Sequence, residues 1–365
     1  MIYVTKCHFS IKISILGVIT LQLVDMQTFE FRGNHYDYGV AQAKWLQSTK
    51  MLENRENEWK IRRPRFDIDI EETKKIYQKF APQIWDELMG IQDTLKFPLE
   101  RILLNYGHYR VYAKDSGCSI FLGNDYMVRN YDYNPATYDG RFSLFQPNDG
   151  GYAQIGPTSR VTGRMDGMNE HGLAMGYNFM HRKKPGDGFV CYMIGRLILE
   201  TCKDIEEAVA LLKEIPHRSS FSYILMDKHN RRITVEATPR DVVTKNNNLC
   251  TNHFEVLTHE NRNYIKESIE RYSRIDHITH ENMSLEHAFR YFNDPQYEIY
   301  SKLFKSWSGT IHTSAYIPEQ LQMKIALGEN GTIHTFNFKD WLDGKSLHLS
   351  TISGQIDTDI EFASE

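Results

Sequence analysis

The spacing of apolar positions changes once along this chain, near residue 117. Before that point Ile76, Phe80, Ile84, Leu88, Ile91 and Leu95 recur at helical intervals, and Pro82 predicts a kink or a boundary between two helices. A short strand, TFEFRG, precedes them, and PLERILLNYGHYRVY after Phe97 predicts one more helix. Residues 26–113 therefore read as a mostly helical block.

Beyond Gly117 the apolar runs shorten and are separated by turn residues. CSIFL, GND and YMVRNYDY read as one antiparallel hairpin; HGLAMGYNF is a strand; FSYILMD, KHNR and ITVEAT form another hairpin, and DVVTK, NNN and LCTNHF a third. Two helices interrupt them. VCYMIGRLILETC has helical spacing, and DIEEAVALLKEI opens with Asp204 as N-cap and Glu207 three residues on, a capping-box arrangement. The stretch NRNYIKESIERYSRIDHITH predicts a further helix before three strands, TIHTSAY, QMKIALG and IHTFNF. Hairpins interrupted by paired helices predict an α+β fold with antiparallel sheets covered by helices.

Composition narrows the function without naming it. The chain has 365 residues, 41% hydrophobic and 25% charged, which is globular rather than disordered. Its 43 basic and 47 acidic side chains are dispersed, so neither a nucleic-acid backbone nor an anionic membrane finds a charged footprint. A small-molecule or peptide-like substrate is expected. Cys7, Cys118, Cys191, Cys202 and Cys250 form no CxxC and no even framework, which argues against a disulfide scaffold or a structural zinc site and fits a reducing cytoplasm. Asp276, His277 and His280 have helical spacing without a zincin pattern and read as a solvated helix end. No metal or cofactor is expected.

The N-terminus complicates the compartment. HFSIKISILGVITLQL resembles the apolar part of an export signal, yet no small-x-small cleavage site follows, and Met26 opens a well-formed segment. Residues 1–25 are read as an over-long start, with a true signal, and hence secretion, or a structured strand as the alternatives.

Five features then fall in order. Gly117-Cys118 opens the strand region, RNYD ends its second strand, DGMNEHGLAMGYNF spans 166–179, TNHF follows Cys250, and ERYSR carries two arginines. Each alone has a bland reading: a buried structural thiol, a turn with an ion pair, a polar turn, a strand end. Together they resemble the N-terminal-nucleophile (Ntn) hydrolases, in the group of acyl-CoA:6-aminopenicillanate acyltransferase and the choloylglycine hydrolases. The resemblance runs over roughly 26–345.

That resemblance implies a four-layer αββα sandwich of two antiparallel sheets. It implies Cys118 as nucleophile, Arg129 beside the substrate, Asp132 orienting the amine and Asn178 as oxyanion donor. Asn252 is the second asparagine and Arg271 the late arginine, with Arg274 as an alternative register. Choloylglycine hydrolases carry the cysteine directly behind the initiator Met, whereas here it stands at position 118, as in the acyltransferase branch. This departure implies a precursor that cuts itself after Gly117, with 26–117 as a helical pro-segment and 118–365 as the catalytic domain. The two fragments would stay associated, and a homo-oligomer is compatible with the pattern.

The chemistry accounts for these residue types. An ordinary thiol has a pKa near 8.5, whereas a chain-terminal amine titrates near 8 and can accept its proton. An amide nitrogen cannot, so Cys118 must become a terminus, and glycine at 117 suits a strained backbone at the cut. Acyl transfer from an N-acyl amide or acyl donor would pass through a thioester, to water or to an amine. Two other readings stay open: an unprocessed thiol hydrolase with His253 as base, and a non-enzymatic relative that binds acylated ligands.

Overall fold

The computed structural model describes residues 21–61, 68–111, 117–180, 185–261 and 264–363. The apolar run over 1–20, Cys7, and residues 114–116 before the Gly-Cys junction lie outside the described residues.

The first part of the chain forms β1 (Leu21–Gly33) and five helices: α1 (His35–Gln47), α2 (Met51–Ile61), α3 (Ile70–Phe80), α4 (Pro82–Leu95) and α5 (Leu99–Ile102). Asp69 caps α3 by accepting from the Glu72 N–H, and Pro82, which has no N–H to lose, starts α4. Pro82 is thus a boundary. Helices α1 and α4 touch backbone to backbone. A Cβ on Gly39 would lie 2.0 Å from the Glu87 carbonyl oxygen, and one on Gly90 would lie 2.1 Å from that of Tyr36. Any larger residue at either position would push the helices apart.

Two expectations for this region change. The strand expected at 28–33 begins at Leu21, and residues 21–25, set aside as part of a start segment, pair with the last strand. Val24 is fully buried there, which explains why the strand continues before Met26. The helix expected over PLERILLNYGHYRVY closes after one turn and a wide turn, 103–107, ending at His108 with a φ of 50°.

From Cys118 onward come β2 (Cys118–Leu122), β3 (Met127–Tyr133), β4 (Arg141–Pro147), β5 (Gln154–Ser159), β6 (Gly163–Arg164), β7 (Asp166–Asn169) and β8 (Ala174–Phe179). Then follow α6 (Cys191–Thr201), α7 (Ile205–Glu214), β9 (Phe221–Met226), β10 (Arg232–Ala237), β11 (Val242–Lys245) and β12 (Leu249–Cys250). Helices α8 (Lys266–Ile278) and α9 (Leu285–Asn293) lead to β13 (Lys302–Leu303), β14 (Ser308–Ile317), β15 (Gln322–Leu327), β16 (His334–Asn337), α10 (Phe338–Leu342) and β17 (Thr351–Asp357).

The larger sheet runs β11-β10-β9-β8-β7-β5-β4-β1-β17, with β6 on β5; the smaller runs β12-β2-β3-β14-β15-β16, with β13 on β14. Among the described strands all pairings are antiparallel except β1 with β4, a parallel contact that the hairpin pattern did not predict. The third expected hairpin is also corrected. β12 leaves β11 and pairs with β2 in the other sheet, because the NNN connection crosses over instead of reversing: the Leu122 N–H donates to the Asn248 carbonyl at 2.7 Å.

Three separate apolar cores define the layers. One joins the helices of the first part and α6 and α7 to the outer face of the larger sheet, through Ile84, Leu88, Leu197, Met175 and Leu225. A second lies between the sheets, with Val24, Ile120, Met127, Ile155, Ala174 and Ile325. A third packs α8 and α9 on the outer face of the smaller sheet through Phe121, Val128, Ile275, Phe289 and Ala315. Helix, sheet, sheet, helix is the four-layer arrangement expected.

Candidate active site

The β2-β3 hairpin builds the centre. Its register sets Cys118 opposite Tyr131 and Ile120 opposite Arg129. Alternate residues on a strand share a face, so Cys118 and Arg129 both point between the sheets. Arg129 Nη2 lies 3.5 Å from Cys118 Sγ. The same guanidinium donates to the Tyr177 carbonyl at 2.7 Å, the Met165 carbonyl at 2.8 Å and Asp166 Oδ2 at 2.5 Å.

The backbone of Cys118 is held on both sides. Its N–H donates to Asn252 Oδ1 at 2.8 Å, while Asn252 Nδ2 donates to the Phe179 carbonyl at 2.8 Å and so fixes the amide. Arg271 Nη1 donates to the Cys118 carbonyl at 2.6 Å and to Ser119 Oγ at 2.8 Å, and its Nη2 donates to Asn252 Oδ1 at 2.8 Å. Between the two arginines of ERYSR the helix decides: Arg271 is buried, and Arg274 turns outward to Glu298.

Asn178 stands across from β12. Its Nδ2 donates to the Cys250 carbonyl at 2.9 Å and the Thr251 carbonyl at 3.1 Å, with the Cys118 carbonyl at 3.5 Å. Among the described residues its Oδ1 has no partner. In this arrangement its two amide protons tie the CTN segment to β8, so donation to an oxyanion requires one of them to be released. Asp132 closes the site: Oδ1 accepts from Thr310 Oγ1 at 2.7 Å. Cys118, Arg129, Asp132, Asn178, Asn252 and Arg271 are thereby brought together; Arg274 is not. His253 is turned away, with Nδ1 2.9 Å from Ser268 Oγ.

Gly117 meets a spatial requirement and not a dihedral one. A Cβ at 117 would stand 3.2 Å from Ser308 Oγ and 3.7 Å from Asp132 Oδ2, and its backbone is outside the left-handed region, so the strained glycine expected at the junction is corrected to a crowded one.

Electrostatics set this centre apart. Burial pushes the Cys118 thiol up, against the opposing pull of Arg129. Burial likewise raises Asp132 to about 7, although Arg271 and the Thr310 hydrogen bond act to lower it. Burial would also raise Asp166, but Arg129, His312 and Tyr316 hold it well below the usual carboxylate range. Asp166 heads the DGMNEHGL motif yet was not singled out from sequence. Thr310, Ser119 and Ser268 were likewise missed, being ordinary hydroxyls in strand or helix context. Among the described residues no group of three or more His, Cys, Asp or Glu is placed to hold a metal, and no helix is long and apolar enough to cross a membrane.

A layered αββα body with this polar centre between its sheets has the Ntn-hydrolase architecture. The chain belongs to the acyl-coenzyme A:6-aminopenicillanic acid acyl-transferase family, whose sequence model matches residues 122–332. The match takes in Arg129, Asp132, Asn178, Asn252 and Arg271, and begins four positions after Cys118. It makes the protein an enzyme of the amide-hydrolysing or acyl-transferring kind. Among solved structures, a mutant of the conjugated bile acid hydrolase of Clostridium perfringens is similar at 16% identity and TM-score 0.47, over 67% of this chain and 98% of that one. The penicillin V acylase of Agrobacterium tumefaciens is similar at 13% identity and TM-score 0.40, over 68% and 92%. A Caenorhabditis elegans ortholog of N-acylethanolamine-hydrolyzing acid amidase is similar at 13% and 0.38, over 56% and 93%. Among curated proteins none matches the sequence.

Proposed function

We propose that the chain cuts itself between Gly117 and Cys118, and that the new terminal Cys118 is the nucleophile for acyl transfer from a small N-acyl amide. The observation that carries this reading is the separate holding of three Cys118 groups: nitrogen by Asn252, carbonyl by Arg271, sulfur beside Arg129.

In the uncut chain the Cys118 sulfur adds to the Gly117 carbonyl, the C–N bond breaks as the acyl group moves to sulfur, and water hydrolyses the resulting thioester. The products are a carboxylate on Gly117 and an amine on Cys118. Asp132, raised to about 7 and with Oδ2 toward Gly117, is the group able to take the thiol proton before an amine exists. After the cut the amine takes over as base. In turnover the thiolate attacks the substrate carbonyl, the substrate amine leaves with the proton, and water or a second amine takes the acyl group. Asn178 donates to the tetrahedral oxyanion once one of its amide N–H groups leaves the Thr251 or Cys250 carbonyl.

The fragments on either side of the cut stay together because β1, from the small one, is paired between β4 and β17 of the large one. Intact-mass measurement tests the reading directly. Wild type should yield two masses that meet at Gly117/Cys118, and Cys118→Ala a single uncut one without turnover of N-acyl amino acids, penicillins or acyl-CoA donors. An active wild type that stays whole would refute the terminal-amine mechanism.

A further inference from the structure

One anion in the buried centre has no place in the chemistry just described. Asp166 projects from β7, in the opposite sheet, and meets Arg129 on the side away from Cys118. Its Oδ2 accepts from Arg129 Nη1 at 2.5 Å, while Oδ1 accepts from Tyr316 OH at 2.5 Å. Ser314 Oγ lies 3.3 Å from Oδ2, and His312 Nε2 lies 3.7 Å away. Arg129 and Asp166 are both fully buried, so neither charge is screened by water.

The other titratable groups around Cys118 and Arg129 are accounted for. Tyr131 on β3, Tyr177 on β8 and Cys191 at the start of α6 are held protonated by burial. Burial lowers His312 on β14, against the pull of Asp166. On α8, Arg271 is committed to the Cys118 carbonyl and to Asn252, with Glu267 behind it. Asp132 on β3 faces Thr310 and Gly117. That leaves one guanidinium between a carboxylate and a sulfur.

We propose that Asp166 and the Cys118 sulfur compete for the Arg129 charge, so that Asp166 is a positioning residue that limits how far Arg129 can favour the thiolate. This rests on Cys118 being the nucleophile. It also gives an unusual sign. If Asp166 merely anchored Arg129, neutralising it would loosen the guanidinium and leave the thiol no more acidic. If it competes, Asp166→Asn keeps an acceptor for Nη1 but removes the charge, and the thiolate becomes the counter-ion that Arg129 lacks. Met165 and Tyr177 carbonyls still hold the guanidinium in place. Tyr316→Phe acts in the opposite direction, because losing its donor concentrates negative charge on Asp166 and tightens its hold on Arg129.

The test is the pH dependence of Cys118 alkylation by iodoacetamide, with the modified peptide identified by mass spectrometry. Asp166→Asn should move the midpoint down by about one pH unit, and Tyr316→Phe should move it up by less. An unmoved or raised midpoint in folded Asp166→Asn overturns the proposal. If that variant shows no cooperative melt, Tyr316→Phe decides alone: an upward shift supports competition, and an unchanged or lowered midpoint overturns it. Labelling that spares Cys118 while abolishing turnover would instead remove the nucleophile reading, and so is distinguishable from a wrong-sign shift at Cys118.

Discussion

Two buried polar clusters lie in different layers of this protein, and one carboxylate from each, Glu200 and Asp132, behaves in the opposite way. Under the helices of the first part, Glu87 of α4 accepts from Gln42 at 2.6 Å and from Arg196 at 2.9 Å on separate oxygens. Glu200 of α6 accepts from Arg196 at 2.5 Å and Gln154 at 2.7 Å, and its other oxygen meets His35. Burial would raise Glu200, yet Arg196 and His35 hold it down to about 2. On β3, Asp132 has one side-chain donor among the described residues and is raised to about 7, close to a thiol that is raised as well. Burial is common to both clusters, but the number of donors per carboxylate is not. Glu200 is wired to stay ionised and to hold layers together, and Asp132 is left able to exchange a proton.

Substitutions can break that contrast. Glu200→Gln leaves Arg196 without one carboxylate partner in a buried site, so unfolding in urea should show a loss of about 3–5 kcal/mol, while turnover per folded molecule stays unchanged. A large loss of turnover at full folding would mean that the helical cluster also serves chemistry.

The same cluster predicts a pH dependence. Burial acts to lower His35, but Glu200 more than offsets it and raises it to about 9. A raised histidine contributes its stability fully below its unfolded value near 6.5, and that contribution is lost as pH climbs to about 9. Stability from urea unfolding should therefore fall across pH 6.5–9 by up to about 3 kcal/mol in wild type, and this slope should flatten in Glu200→Gln. Identical slopes in both proteins would exclude the pair as its source.

Asn178→Ala should do the reverse of Glu200→Gln. Turnover should drop about a hundredfold, roughly 2.7 kcal/mol, with alkylation of Cys118 nearly intact in chains confirmed as cut after Gly117. Near-normal turnover would reduce Asn178 to the tie between β8 and the CTN segment.

The clusters also differed in how far the sequence disclosed them. Arg271 came only from the ERYSR segment, in two possible registers, whereas Arg129, Asp132, Asn178 and Asn252 were legible because each sits in a short polar interruption of an apolar run, RNYD, YNF or TNHF, in a recognisable order. Their proton-tuning partners were not. Thr310 meets Asp132 through the β3-β14 register, 178 positions away, and Asp166 meets Arg129 across the gap between sheets, which no local pattern encodes. The helical cluster left one faint trace. Glu87 lies three residues after Ile84 and four before Ile91, a charge on the apolar stripe of α4, where a buried partner was required. The crossover of NNN was illegible for a similar reason, since three asparagines suit a hairpin turn and a sheet-to-sheet passage equally.

The position of β1 fixes an order of events during synthesis. Leu21 pairs with Asp357, so the larger sheet cannot close until β17 has left the ribosome. Thr310, which holds Asp132, also arrives late. Joining such distant segments carries a loop-closure cost that neither the helices nor the β2-β3 hairpin faces, so those can form early while the central ladder waits. A peptide bond broken at Gly117 in that interval would turn one long closure into a bimolecular search. β14 therefore acts as a timer for the site: Asp132 gains its Thr310 partner only once β14 has joined β3.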